Sequence, residues 1–324
     1  MVQDGLMERF AVDEVYGMHN MPGLPEGYFA TTPGPMLASS DTLKIVVHGK
    51  GGHAGAAPHE AVDSVLIGAQ IINALQSIVS RNVDPLKSAV ISITMFQAGS
   101  AFNVIPETVT LGGTVRTLDP GVRDLVERRI GEVASSIAKA YGGSADTDYG
   151  RMYPVTLNHA REAGIAAEIA RDVVGADRVN DNLVPVMGAE DFAFMLEARP
   201  GAMVLVGMGD SPACHHPAYV FNDNILGHGA SYWVRLVEKQ MPADKFAPIG
   251  KAIDDIMAGQ IVDPPPAGLA IAPAMQPAMA SGFNEDPVDP MRKITGPTLI
   301  IAGGRDHQLP RLDFLALTTA DVAA

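Results

Sequence analysis

The sequence predicts an α/β protein, on three observations. Short β-branched apolar runs alternate with helical periodicities, glycine and proline punctuate the junctions, and 47% hydrophobic content over 324 residues suffices for one large or two ordinary cores. Residues 1 to 37 read as the end of a layer: a short amphipathic segment, a strand around Val12 to Met18, then a proline-rich loop. The run TLKIVVHG reads as a strand before the glycine-rich turn GKGGHAG. Val62, Val65, Leu66, Ala69, Ile72, Leu75 and Val79 recur at three- and four-residue steps, predicting a helix with that apolar stripe. Two strands follow. AVISITMF alternates Ile91, Ile93 and Met95 against Ser92 and Thr94, and TVTLGGTVRT sets Val109, Leu111 and Val115 on one face and Arg116 on the other. A helix carrying Val122, Leu125, Val126, Ile130, Val133 and Ile137, then a weaker strand near Ser144 to Tyr149, complete β-α-β-β-α-β. This is the ferredoxin-like order, expected over residues 38–152 as an insertion into a domain made of 1–37 and 153–240.

The second part of that outer domain predicts a helix near His159 to Val174 and a short helix at GAEDFAFMLEA. A strand, AMVLVGM, and a final helix ending SYWVRLVEK follow. Residues 241–324 form a separate arm. Its stretch VDPPPAGLAIAPAMQPAMASG is too proline-broken for a long helix, and TGPTLIIAGGRDHQLP then restores a strand signal.

Charge and cysteine usage exclude several function classes. The formal net charge of -14 repels phosphate backbones and anionic lipid, and no basic cluster opposes it locally, so neither nucleic acid nor a membrane is an expected partner. Cys214 is the single cysteine, so no intramolecular disulfide or cysteine-based zinc knuckle can form, and a reducing, cytoplasmic setting is expected. The opening MVQDGLMERF places charges where a signal peptide needs its apolar core.

The residues that could carry chemistry begin with His19, where a strand meets the break NMPG. A lone histidine at a strand end is more often a hydrogen-bonded core or surface residue than a metal ligand. His215, in the loop ACHHPAYVFND after an apolar strand, is a second candidate, because strand ends of α/β sheets collect ligands. Two imidazoles hold a divalent ion only if carboxylates or waters complete the coordination. Glu190 and Asp191 of MGAEDF are the carboxylates on offer, and they equally suit a helix N-terminus.

Taken together, GMHNMPGLPEG, GKGGHAGAAPHEAVD, NALQSIVSRNVDP, GSAFNVIPETVTLGGTVRT, MGAEDFAFML and HHPAYVFNDN resemble the amidohydrolase branch of the aminoacylase and carboxypeptidase G family, the hippurate hydrolases. The resemblance runs from Met1 to about Val237. It implies a zinc-peptidase-like catalytic domain interrupted by a ferredoxin-like lid that forms a homodimer, and hydrolysis of N-acyl amino acids with divalent metal, Zn or Mn. It implies His19 and His215 as metal ligands and His53 as the residue that stabilises the oxyanion in the neighbouring subunit's site. Asn103 and Arg116 would bind the substrate's carboxylate end, for which a guanidinium is suited. In that family a Cys-Gly-His ligand motif and a Glu-Glu pair lie upstream of the position of Met1. The resemblance therefore implies a partial catalytic domain that holds metal weakly and is catalytically impaired.

Two further readings come from a different class. The tail segment DPVDPMRKITGPTLIIAGGRDHQLP resembles the late strand of an α/β-hydrolase, with Asp306 matching the triad acid, but no G-x-S-x-G elbow precedes it. Ser211 in VLVGMGDSPACHHP stands near His215 and His216 and would be the nucleophile of a serine esterase. The remaining alternative is a non-catalytic dimerisation scaffold.

Overall fold

The computed structural model describes residues 1–240, residue 251 and two strands at 298–303 and 314–318. A one-turn helix, α1 (Leu6–Arg9), leads to β1 (Val15–Met21), β2 (Phe29–Ala30), β3 (Gly34–Leu37), β4 (Ser40–His48) and β5 (Gly52–His53). Next come α2 (Ser64–Arg81), β6 (Ala89–Ala98), β7 (Val104–Ile105), β8 (Thr108–Thr117), α3 (Pro120–Ala140) and β9 (Ser144–Tyr153). The chain continues through β10 (Thr156–Asn158), α4 (Ala160–Val174), β11 (Val179–Asn180), α5 (Ala193–Ala198), β12 (Gly201–Gly207) and α6 (Leu226–Gln240). Strands β13 (Thr298–Gly303) and β14 (Phe314–Thr318) complete it. Contacts divide the chain into two units. The first draws on Met1–Gly34, Leu157–Val184 and the residues from Phe194 onward, the second on Pro35–Thr156 and Pro185–Ala193.

The first unit is built on a sheet of order β11-β2-β12-β1-β13-β14. Its centre is the parallel pair β1 and β12, in register from Val15 opposite Gly201 to Met21 opposite Gly207. Every residue of β12 is buried, which is why GAMVLVG reads as an unbroken apolar run and not as an alternation. Gly201 is obligatory for this pairing, since a Cβ there would lie 2.0 Å from the carbonyl oxygen of Val15. Helices α4 and α6 supply the rest of the core: Ala163, Ala166, Ile169 and Ala170 from one, Tyr232, Leu236 and Val237 from the other. Tyr232 stacks on Phe29 with ring centroids 5.4 Å apart. On its other side β1 pairs in parallel with β13, from Val15 opposite Ile300 to Met18 opposite Gly303.

The second unit carries an antiparallel sheet of order β6-β8-β4-β9, whose elements run strand, helix, strand, strand, helix, strand. Both helices start at aspartate caps. The Asp63 side chain accepts from the amides of Val65 and Leu66, and Asp119 accepts from Val122, with Pro120 in the first helical turn. The helices share one core with Leu43, Ile45, Val47, Ile91, Val109, Leu111 and Val115 on one face of the sheet. A charge is buried within it. Asp41, fully shielded, accepts hydrogen bonds from Arg123 Nε at 2.9 Å, Arg123 Nη2, Tyr149 Oη at 2.7 Å and the Met152 amide at 3.3 Å. Burial and the adjacent Asp41 carboxylate push the Tyr149 phenol far above its ordinary pKa, so the hydroxyl stays a donor.

Four expectations are corrected. The core face of α2 is Ile67, Ile71, Leu75 and Ile78, whereas Val65 and Leu66 are 37% and 46% exposed. Both faces of this helix are apolar, so periodicity does not choose between them; packing against α3 does. In β6 a register shift between Ile93 and Met95 sets Met95 opposite Gly112 and brings Phe96 opposite Leu111, so the alternation breaks and Met95 is exposed. Strand β1 begins three residues later than Val12 and contains His19. In GAEDFAFMLEA only the segment from Ala193 is helical, and Glu190 and Asp191 precede it. Asp306, His307 and the proline-rich stretch lie outside the described residues.

Ile71→Ala is expected to cost about 2–5 kcal/mol, and Leu66→Ala about 0.5 kcal/mol or less. Chemical denaturation of the two variants reads out which face is the core. In the same assay Arg123→Ala, which leaves the Asp41 carboxylate buried without its cation, is expected to cost about 3–5 kcal/mol. A loss no larger than that of an exposed ion pair, about 0–1 kcal/mol, would contradict that assignment.

Candidate functional site

In the first unit, β1 is buried from Val15 to Met18 and half-buried from His19 onward, so the strand leaves the core at His19. The His19 Nδ1 stands 2.6 Å from the carbonyl oxygen of Asn20. A carbonyl only accepts, so Nδ1 carries the proton and the neutral ring keeps its lone pair on Nε2. That is the arrangement in which a histidine ligates a cation, its second nitrogen held by a backbone acceptor.

His215 lies beyond the C-terminal end of the adjacent parallel strand β12. The loop that carries it is tied to the exit of β1: the Met208 amide donates to Met21 O at 3.2 Å and the Gly23 amide to Gly209 O at 3.0 Å. Asn20 Nδ2 donates to Tyr219 Oη at 2.6 Å and to Met208 Sδ at 3.1 Å. The loop folds into tight turns, with the His216 amide bonded to Ala213 O and the Tyr219 amide to His216 O. His215, exposed, takes φ = 70°, the left-handed region that costs a non-glycine residue about 1 kcal/mol or more. Ser211, half-buried, stands in the same loop four residues before the exposed His215.

In the second unit, His53 and Asn103 are brought together by the ribbon of β5 and β7. His53 pairs with Val104, and the Ala54 amide donates to Asn103 O at 2.9 Å. The His53 side chain is exposed, and its Nδ1 accepts from the amides of Gly55 at 3.3 Å and Ala56 at 3.1 Å. The proton of the neutral ring is therefore on Nε2, and His53 presents an N–H donor where His19 presents a lone pair. Arg116 sits opposite Val90 in β8, on the sheet face away from the helices, because its neighbours Val115 and Thr117 point into the core. Its Nη1 is buried and makes no hydrogen bond among the described residues, a donor that an anionic oxygen would satisfy. Glu190 and Asp191 belong to the second unit, where Glu190 O accepts from the Ala193 amide at the start of α5.

The donor chemistry suits a divalent cation at the imidazoles: His19 presents an unprotonated Nε2 of the right kind. Among the described residues, however, no three His, Cys, Asp or Glu side chains lie close enough together to enclose a metal ion. Sequence reading finds the two histidines but not the link from Asn20 to Tyr219. Both residues stand in quoted motifs, yet 199 positions separate them and no periodicity joins them.

A family model described as peptidase family M20/M25/M40 matches residues 1–239. The hippurate hydrolase of Campylobacter jejuni is 41% identical over 241 residues, covering 74% of this chain and 63% of that protein. The N-acetylcysteine deacetylase of Bacillus subtilis is 39% identical over 225 residues, covering 69% and 58%. Among solved structures, a putative aminohydrolase from methicillin-resistant Staphylococcus aureus has a TM-score of 0.66 at 27% identity, over 73% of this chain and 60% of that one. A Bacillus subtilis dinuclear metal binding peptidase of the M20 family gives a TM-score of 0.61 at 31% identity, over 72% and 58%. The chain thus spans about three fifths of the length of the relatives it matches. No described helix is long and apolar enough to cross a membrane. A match over most of the chain, relatives near 40% identity and neighbours of the same mixed α/β fold agree: the chain belongs to peptidase family M20/M25/M40.

Proposed function

We propose that this protein is a metal-dependent amidohydrolase acting on N-acyl amino acids, with His19 and His215 as ligands of a divalent cation, Zn or Mn. The observation that carries this reading is the opposite hydrogen bonding of two imidazoles. Nδ1 of His19 is held by a carbonyl and leaves a lone pair, while Nδ1 of His53 is held by two amides and leaves a donor. Such a cation, when bound, supplies an activated water and polarises the amide carbonyl. The residues of this chain do the rest. His53 offers Nε2–H to the carbonyl oxygen as negative charge develops there, with the ring fixed by its two amide bonds in advance. Asn103, immediately before the neighbouring strand of the same ribbon, and Arg116 hold the carboxylate end of the substrate; Nη1 of Arg116, without a hydrogen bond among the described residues, supports this role. The substrate class follows from the names of the relatives, a hippurate hydrolase and an N-acetylcysteine deacetylase.

The second unit acts in this reading as a ferredoxin-like lid, residues 38–152, through which two copies form a homodimer and His53 serves the neighbouring copy. Supporting it is a set of exposed apolar side chains, Val65, Leu66, Met95, Phe96, Phe102 and Val104, on α2, β6, the segment leading into β7 and the start of β7 itself. With one cysteine in the chain, a reducing cytoplasmic setting fits. A non-catalytic dimerisation scaffold is the second reading, favoured by the lack of a third ligating side chain at the described histidines.

Hydrolysis of hippurate and N-acetylated amino acids, with and without chelator, tests the proposal. Cleavage is expected to vanish with chelator and return with Zn²⁺ or Mn²⁺. His53→Ala is expected to lower kcat by about 10²- to 10³-fold with little change in KM, and Arg116→Met to raise KM with a smaller effect on kcat. Silence under all conditions supports the scaffold, and chelator-indifferent ester cleavage lost in Ser211→Ala would overturn the metal assignment.

A further inference from the structure

We infer that Asn20 is a positioning residue: through Tyr219 and Met208 it holds the loop bearing His215 against the strand bearing His19. This rests on the metal reading of the two histidines given above. The two imidazoles come from different parts of the chain, one on β1 and one beyond β12, and backbone pairing of the strands ends at Met21 and Gly207. Past that point backbone bonds from the Met208 amide to Met21 O and from the Gly23 amide to Gly209 O fasten the start of the loop, and its far end at Tyr219 is held to β1 by side chains. Asn20 is adjacent to His19, and its carbonyl already fixes the His19 ring. Both protons of its side-chain amide are used across the gap, one on Tyr219 Oη at 2.6 Å and one on Met208 Sδ at 3.1 Å. The Tyr219 hydroxyl in turn donates to Met208 Sδ at 3.6 Å, closing a triangle between the exit of β1, the exit of β12 and the far end of the loop.

A second tie lies just beyond. Asn222 Nδ2 donates to Met208 O at 2.9 Å and to Glu26 Oε2 at 2.7 Å. The stretch from Met208 to Asn222 is thereby anchored at both ends, with the left-handed His215 between the anchors. Groups that orient a ligand through one intermediate bond typically change metal affinity by about 10–100-fold when removed. Asn20 therefore does two jobs: its backbone sets the tautomer of one ligand, and its side chain sets the position of the segment carrying the other.

The test uses the single cysteine as a reporter, since Cys214 is next to His215 and any thiol label on this chain reports that loop. Asn20→Leu keeps the size but loses both donors, and Tyr219→Phe loses the hydroxyl that accepts from Asn20 and donates to Met208 Sδ. Two quantities are measured on each 324-residue protein: the iodoacetamide labelling rate of Cys214 without metal, and the Kd for Co²⁺ by equilibrium dialysis. Both variants are expected to label several-fold faster than wild type while melting as it does, and to raise the Co²⁺ Kd about tenfold or more. Unchanged labelling would overturn the inference, as would faster labelling with an unchanged Kd. Wild-type protein that binds no Co²⁺ would overturn the metal reading itself, and with it the positioning role, whatever the labelling shows.

Discussion

The parallel register of Val15–Met21 against Gly201–Gly207 is the constraint on which the first unit depends. It requires a residue without a Cβ at 201, because the Val15 carbonyl occupies that space. Given that register, both strands finish at the same edge of the sheet, and whatever follows each is delivered there. Parallel α/β sheets place their chemistry at this edge for a geometric reason: the strands are buried on both faces, and the chain first meets solvent at their carboxyl ends. The burial of β1 fades at His19, and that of β12 is complete to its last residue, so exposure begins where the candidate residues stand.

Hydrogen bonding then separates two residues of one type into two roles. An imidazole offers either a lone pair or an N–H at its outer nitrogen, and the inner partner decides which. At His19 the partner is a carbonyl; at His53 the partners are amides. The same side chain is thereby prepared to ligate in one unit and to donate in the other. Arg116 follows the same logic, with a guanidinium nitrogen shielded from solvent and without an acceptor among the described residues.

Much of the architecture was legible in the residues, for physical reasons that also mark where legibility stopped. The alternation of Val109, Leu111 and Val115 has a single solution on a strand and puts Arg116 on the opposite face. The helices of the second unit are legible from apolar periodicity alone, while their starts are set by the capping bonds of Asp63 and Asp119, which that periodicity does not mark. In helix α2 Leu75 lies in the core, and Ile72 and Val79, with Val62 just before the helix, pack against it, but Val65 and Leu66 compete with Ile67, Ile71 and Ile78 at equivalent spacing, and only the neighbouring helix breaks the tie. The bulge in β6 was invisible since Met95 fits the period of two as well as Phe96 does. At the candidate site, the histidines and Arg116 stand out as residue types. What holds them, the Asn20 carbonyl, the amides after His53 and the Tyr219 hydroxyl, is ordinary polar chemistry that acquires meaning only from distances.

The assignment of opposite tautomers is the claim from which the proposed roles follow, and it is open to direct measurement. Long-range ¹H–¹⁵N correlation spectra of histidine-labelled protein, recorded well above the ordinary imidazole pKa of about 6.5, report which nitrogen of each ring is protonated. Substitution of His19 and of His53 in turn assigns the signals. The account predicts Nδ1–H with a bare Nε2 at His19, and Nε2–H with a bare Nδ1 at His53. A proton on Nδ1 of His53, or on Nε2 of His19, would contradict it.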